Sequence, residues 1–173
     1  MFTFRKNGHF YEKVSKKGEP VCIDEEIPFD IPDSWEWCRF GYVVDFSLGK
    51  TPPRKELIFW DNATTPWVTI SDMVDGKIIN CTQENVNNYA LEKSFKGILV
   101  PKGTLLMSFK LTVGKVSILG LDAVHNEAII SIKPFIDNNN NNCFRDYLFR
   151  VLPLISQTGD TKSAIKGKTL NSK

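Results

Sequence analysis

The sequence predicts an α+β fold, in which a curled, mainly antiparallel β-sheet is accompanied by a few helices. Three observations indicate this class. Short runs of β-branched and aromatic residues recur from residue 42 onward, Gly and Pro separate most of these runs, and two segments have helical periodicity. A chain of 173 residues is long enough for one main domain with a substantial core.

Polar and charged residues dominate residues 1–26, which we expect to form a lead-in segment with a small hairpin around residues 16–19. The main domain is predicted over residues 27–156, and residues 157–173 are predicted to be a polar, basic tail. The predicted strands of the main domain are 42–46, 57–60, 67–70, 98–100, 104–113, 116–119 and 128–132.

Two helices are predicted to interrupt these strands. Thr82, followed by Glu84 and Asn85, predicts the N-cap of the first, which we expect to end near Ser94. The second helix is predicted to begin at Cys143, after a run of asparagines that provides a loop and a cap.

Residues 103–116 combine apolar alternation with lysines and glycines. The apolar side chains fall on one face of a period-two strand, and Ser108, Lys110 and Thr112 fall on the other. The glycine before Lys115 permits a turn. We predict a hairpin that presents cations to phosphates or base edges, although any half-buried antiparallel strand gives the same alternation.

The net charge of +2 is distributed unevenly along the chain. Residues 1–33 carry seven acids and five bases, residues 93–116 carry five lysines and no acid, and residues 133–173 carry seven bases and three acids. This asymmetry permits an anionic partner on one face, and a mixed, solvated surface gives similar counts by chance.

Sequence signatures of common enzymes and cofactor sites are absent. The chain has no G-x-G-x-x-G, no P-loop, no G-x-S-x-G and no Asn-Pro-Pro-aromatic motif, so we expect no cofactor. Its four cysteines are far apart and form no C-x-x-C pair, which argues against zinc and favours a reducing compartment. Without an apolar signal core or an apolar run of about 18 residues, the chain is expected to be cytoplasmic.

Six segments follow one another in the order found in a known family. They are IPFDIPDSWEW (27–37), GKTP (49–52), WVTISDM (67–73), VPKGTLLMSFKLTVGK (100–115), NEAI (126–129) and KGKTLN (166–171). Together they resemble the target-recognition domain of a type I restriction–modification specificity subunit. One departure is that the family usually has a glycine soon after an aromatic-tryptophan pair, whereas Phe59-Trp60 is followed by Asp61-Asn62-Ala63.

The resemblance implies a non-catalytic domain that docks into the major groove of double-stranded DNA and reads one half of a bipartite target. It also implies that separate methyltransferase (modification) subunits and restriction subunits assemble around it. In the family, a long spacer helix follows the segment that resembles residues 166–171. We therefore expect this chain to be a single recognition domain without its spacer.

Candidate DNA contacts divide into cations that hold phosphates and polar groups that read base edges. Lys50, Thr51, Arg54 and Lys55 form a cationic segment suited to phosphates, and Arg54 is alternatively suited to a bidentate contact with guanine. A solvated loop has the same composition. Lys110, Thr112, Lys115 and Ser71 complete the candidate set.

Other prominent residues are assigned to structure. Asn126 is expected to form a turn, and Trp35, Trp37, Trp60 and Trp67 are expected in the core. Two other functions stay open: a small metal-dependent nuclease that uses Asp160 and Lys162, and a β module that binds single strands or proteins through exposed aromatics. Neither accounts for the ordered run of family-like segments.

Overall fold

The structure, a computed structural model, describes residues 2–13, 15, 17–27, 29–110, 112–137 and 141–157. Internal contacts divide the chain into two compact units, Met1–Val43 and Val44–Lys173. The predicted boundary between residues 26 and 27 separates a lead-in segment from the recognition domain, and it stays a prediction. Residues 158–173 of the predicted tail, which include Asp160 and Lys162, lie outside the described residues.

The first unit contains an antiparallel sheet of three strands among its described residues, in the order β1-β2-β3. The pairing of β2 with β3 confirms a hairpin around residues 16–19. A second hairpin, which was not predicted, turns between β1 and β2 at Asn7 and Gly8, whose φ angles are 53° and 83°. The strands are β1 (Phe2–Lys6), β2 (His9–Lys13) and β3 (Val21–Cys22), and 3₁₀ turns follow at Asp24–Glu26 and Phe40–Tyr42.

The second unit holds the remaining strands and the α-helices of the described residues. In chain order they are β4 (Val44–Leu48), β5 (Thr65–Val68), β6 (Lys77–Ile79), β7 (Glu84–Val86), α1 (Asn88–Phe95), β8 (Leu105–Ser108), β9 (Val116–Leu119), β10 (Val124–His125), β11 (Ile129–Pro134) and α2 (Cys143–Gln157).

Within the part of this unit that the structure describes, the strands form two sheets. The larger has the order β4-β11-β8-β9-β6 and the smaller has the order β10-β5-β7. Neighbouring strands are antiparallel except for β6 with β9 and β10 with β5, which are parallel. The predicted α+β class with mainly antiparallel pairing is therefore confirmed.

Strand β5 contributes to two separate clusters of buried side chains because successive strand residues point to opposite faces. Val68 belongs to one cluster and Trp67 to the other, and Trp67 is only 1% exposed to solvent. The first cluster is Val68, Met73, Ile79, Leu106, Leu119, Ala123 and Ile129, and the second is Phe59, Trp67, Val86, Ala90 and Val124.

The N-cap of α1 is Asn87, so the predicted start at Thr82 is wrong. The Asn87 side-chain oxygen accepts a hydrogen bond from the Ala90 amide (3.0 Å), and its amide group donates to the carbonyl oxygens of Ile58 and Asp61 (2.8 Å each). Residues 84–86 pair with β5 instead of starting the helix. The predicted end near Ser94 and the predicted start of α2 at Cys143 are both confirmed.

Two predicted strands are wrong because local backbone geometry interrupts them. Residues 57–60 form a 3₁₀ turn at Leu57–Phe59, whose first two side chains are exposed and whose third is buried. In the segment 98–100, only Val100 pairs, as an isolated bridge with Ala123. Left-handed backbone at Lys96 and Gly97 precedes this segment, and a proline follows it.

The strand predicted over 104–113 ends at Ser108. The Ser108 hydroxyl donates to the Thr112 carbonyl oxygen and accepts from the Lys115 amide (3.1 Å), which closes a tight turn between β8 and β9. Ser108 is fully buried, so its predicted place on an outward face with Lys110 is wrong. The predicted hairpin itself is confirmed by the antiparallel pairing of β8 with β9.

The four tryptophans differ in burial. Trp67 is buried as predicted, and Trp37 and Trp60 are partly buried. Trp35 is 53% exposed, so its predicted place in the core is wrong.

Replacing Asn87 with Ala is expected to lower the free energy of unfolding by about 2 kcal/mol, because the helix loses its cap and two carbonyl groups lose a donor. Urea unfolding monitored by circular dichroism measures this. The control is Asn88→Ala, which removes the same side chain from the exposed first helical position. Equal stability of the two variants would contradict the assignment.

Candidate nucleic-acid interface

The loop that carries four of the candidate DNA contacts, residues 49–55, lies against the connection between β10 and β11. A Cβ atom at Gly49 would lie 2.1 Å from the carbonyl oxygen of His125 and 2.2 Å from that of Asn126. The Lys50 amide donates to the His125 carbonyl oxygen (2.9 Å). Only glycine fits this close approach, so the start of the loop is fixed by its backbone.

Two indole rings hold the rest of this loop. Trp67 Nε1 donates to the Lys50 carbonyl oxygen (3.1 Å), and Trp60 Nε1 donates to the Pro53 carbonyl oxygen (2.9 Å). The two rings meet edge to face, with centroids 5.3 Å apart. Because both indoles belong to or border the second core cluster, the packing of that cluster sets the position of the loop.

Arg54 lies over both indoles and is paired with an acid. Its guanidinium carbon is 4.6 Å from the Trp60 ring centroid and 4.4 Å from the Trp67 ring centroid. Its Nη1 donates to Glu84 Oε2, and its Nη2 donates to Glu84 Oε1 (3.1 Å). The guanidinium is therefore held by a bidentate ion pair and by two aromatic faces.

Glu127 brings the two predicted clusters together. The Thr51 hydroxyl donates to the Glu127 carboxylate, which lowers the pKa of that carboxyl group below its ordinary value. The positive charges of Lys110 and Arg54 lower the pKa of Glu127 further. A residue of the hairpin tip and two residues of the loop thus act on one ionised carboxylate.

The other predicted residues occupy different places. Lys115 Nζ donates to the Met73 carbonyl oxygen (3.2 Å), and the Ser71 hydroxyl is hydrogen-bonded to that of Thr69 (2.6 Å). Lys115 is therefore bonded to the segment 69–75, and Ser71 lies within that segment. Lys50, Lys55 and Thr112 are exposed.

Sequence reasoning missed the two carboxylates of this site, Glu84 and Glu127. The sequence places Glu84 at a predicted helix start, and Glu127 falls within the family-like segment NEAI (126–129) with no contact predicted for it. Asn126 forms a turn as predicted, since its side-chain oxygen accepts from the Ala128 amide (3.1 Å). The backbone amide of Asn126 donates to the Val68 carbonyl oxygen (3.0 Å), which ties this turn to β5.

In the part of the chain that the structure describes, no group of three or more His, Cys, Asp or Glu side chains is arranged to hold a metal ion. Over the same residues, every helix is too short or too polar to span a bilayer.

The model of a known protein family, described as the type I restriction modification DNA specificity domain, matches residues 32–172. The chain belongs to this family. The match includes every candidate contact described above, and it confirms the resemblance seen in the six sequence segments.

Two curated relatives match parts of this specificity domain. The specificity subunit of the type I restriction enzyme MjaIX from Methanocaldococcus jannaschii is 30% identical over 76 residues, which are 44% of this chain and 17% of the relative. That of the type I restriction enzyme EcoAI from Escherichia coli is 47% identical over 38 residues, which are 21% of this chain and 6% of the relative. The matches therefore cover less than a fifth of either relative.

Solved structures share the fold of the specificity domain. The HsdS subunit from Thermoanaerobacter tengcongensis aligns with a TM-score of 0.51 and 21% identity over 79% of this chain and 32% of that chain. A chain from a structure concerned with complex assembly and conformational transition of the type I R-M system aligns with the same TM-score, 20% identity, and coverages of 79% and 33%. At these identities, the likeness concerns the fold alone.

The specificity domain buries one histidine next to its cationic loop. His125 is 2% exposed, and burial lowers its pKa to about 4 from an ordinary value of 6.5. Its Nδ1 donates to the Asn126 carbonyl oxygen (3.3 Å). The folded protein therefore holds a neutral imidazole at neutral pH.

The free energy of unfolding is expected to fall by about 2 kcal/mol from pH 7 to pH 5. His125 takes up a proton in the unfolded chain below about pH 6.5 but stays neutral in the folded chain down to about pH 4, so acid favours unfolding. Urea unfolding across this range measures the loss. His125→Gln should weaken this dependence, and an unchanged dependence in that variant would contradict the assignment.

Proposed function

We propose that this chain is a sequence-specific DNA recognition domain that reads one half of a bipartite double-stranded target. The observation that carries the proposal is that loop 49–55 and the hairpin of Lys110 both bond to residues 125–128, within a chain of the DNA specificity domain family. The Thr51 hydroxyl donates to Glu127, and the amide of Phe109, beside Lys110, donates to the Ala128 carbonyl oxygen (3.0 Å). This arrangement provides both cations and oriented polar groups, as phosphate contacts and base contacts require.

The proposed contacts fall into two kinds. We assign the exposed lysines to phosphates, because affinity for duplex DNA rests largely on neutralised phosphates. Hydroxyl groups and the guanidinium are suited to base edges as well as to phosphates. The complete proposed set is Lys50, Thr51, Arg54, Lys55, Ser71, Lys110, Thr112 and Lys115.

We further propose that the domain does no chemistry itself and directs separate methyltransferase and restriction subunits to its target. Support comes from the family and from the relatives, which are specificity subunits of type I restriction enzymes. The matches cover only a small part of those relatives, so these partners are proposed from the family. The cytoplasm is the proposed compartment, since the DNA target lies there, and no cofactor is proposed.

Selection from a randomised duplex library tests the function directly. The purified chain is incubated with the library at two salt concentrations, and the bound fraction is sequenced. A half-site reader should enrich one short, asymmetric motif at both concentrations, with weaker binding at the higher one. Salt-sensitive binding without enrichment would contradict sequence recognition, and preference for single strands in competition would favour a stacking surface.

Replacing Lys110 with Ala is expected to reduce the slope of log K against log salt by about 0.9, the value for one phosphate contact. Fluorescence anisotropy with one fixed duplex at several salt concentrations measures the slope. Lys110 is the better test than Lys115, whose ammonium group also bonds to the Met73 carbonyl oxygen. Lys93→Ala, which removes an exposed lysine on α1, is the control, and an unchanged slope in Lys110→Ala would remove this residue from the interface.

A further inference from the structure

We propose that Arg54 reads a guanine of the target and that Glu84 is the positioning residue that fixes its guanidinium group. This inference rests on the proposed function and deepens it, because it names one base and the residues that select it. The contacts of the pair, its place in the sheet and its charge support it independently.

The guanidinium of Arg54 has its plane and direction set by four contacts. Its two terminal nitrogens donate to the two carboxylate oxygens of Glu84. Its carbon lies within 4.6 Å of the ring centroids of both Trp60 and Trp67, whose planes are inclined by 73°. The group therefore occupies the angle between two indoles, with the carboxylate at its end.

The partners of Arg54 are themselves fixed by the sheet. Glu84 in β7 lies directly opposite Trp67 in β5, in the antiparallel register of these strands. The same indole donates to the loop that carries Arg54, at the Lys50 carbonyl oxygen. The carboxylate, the ring and the loop backbone are thus held by one pair of strands, so the guanidinium is oriented before any ligand binds.

The remaining donors of Arg54 match a guanine edge. A guanidinium group has five N–H donors, and among the described residues the ion pair with Glu84 uses one on each terminal nitrogen. Nε–H and the second Nη2–H then lie side by side along a free edge. Guanine presents two acceptors in the major groove, O6 and N7, at the spacing that such an edge binds. The Arg54 side chain is 49% exposed, so a ligand can reach it.

Charge distinguishes a base from a phosphate as the ligand of Arg54. The ion pair with Glu84 has no net charge, and a phosphate that approached the guanidinium would also meet the carboxylate. A phosphate therefore gains little at this place. A neutral base edge is not repelled, and it gains two hydrogen bonds to oriented donors.

The experiment uses two duplexes: the motif selected by the chain, and the same motif with its guanine replaced by adenine. Adenine keeps the N7 acceptor but presents an amine donor in place of O6. The ratio of the two dissociation constants should be about 5 to 150 for the unaltered chain, which corresponds to about 1–3 kcal/mol of discrimination. In Arg54→Ala, which removes both donors, the ratio should fall to near 1.

Glu84→Ala separates positioning from charge, because it should lower this ratio while it strengthens binding to both duplexes. Loss of one acid favours DNA of every sequence, whereas loss of the fixed carboxylate frees the guanidinium to rotate. Glu84→Gln keeps the size of the side chain and serves as the second variant, and melting temperatures verify folding. Asp33→Ala, which removes the acid from the exposed Arg5–Asp33 pair in the first unit, should leave the ratio unchanged.

Each contrary result overturns a defined statement. A ratio that persists in Arg54→Ala, or a motif without a guanine that depends on Arg54, would overturn guanine readout while the proposed function stands. A ratio that persists in both Glu84 variants would overturn the positioning role. If all variants bind both duplexes more weakly and to the same extent, Arg54 and Glu84 stabilise the fold and do not read a base. If the unaltered chain enriches no motif, the proposed function fails and this inference fails with it.

Discussion

Trp67 lies in the middle strand of the smaller sheet, where its indole joins the core to the cationic loop. The ring is 1% exposed, its Nε1 donates to the Lys50 carbonyl oxygen, and its face contacts the Arg54 guanidinium. Its backbone is paired with Glu84 on one side and with Val124 on the other. Because one residue makes all these contacts, the loop, the guanidinium and its carboxylate keep the geometry of the core.

The proposed DNA face is therefore a mixed surface in which two acids are built among the cations. Glu127 accepts from Thr51, and its pKa is lowered by the charge of Lys110, while Glu84 is paired with Arg54. Acids in such places weaken general attraction to phosphate, in keeping with a net charge of only +2. What they add is orientation, since an ion-paired or hydrogen-bonded side chain keeps fewer conformations than a free one. The arrangement favours discrimination between bases over strong nonspecific binding.

Local signals explain what was predictable from the sequence. Strand β9 was predicted at its observed bounds, and the turn between β8 and β9 was predicted from a glycine between alternating segments. A polar N-cap for α1 was also predictable. The cap is Asn87 and not Thr82, because the residues before Asn87 form a strand that buries Val86 in the second core cluster. The hairpin at Asn7 and Gly8 was missed although that dipeptide is a strong turn signal.

Contacts between distant residues explain what was not predictable. Arg54 and Glu84 are 30 positions apart, and Thr51 and Glu127 are 76 positions apart, so neither pairing leaves a trace in local periodicity. The parallel pairings of β6 with β9 and of β10 with β5 also join segments that are distant in the sequence. A search for clustered cations finds the residues that attract phosphate, because attraction depends on the sign of the charge. It misses the acids that orient those cations, because orientation depends on the register of strands such as β5 and β7.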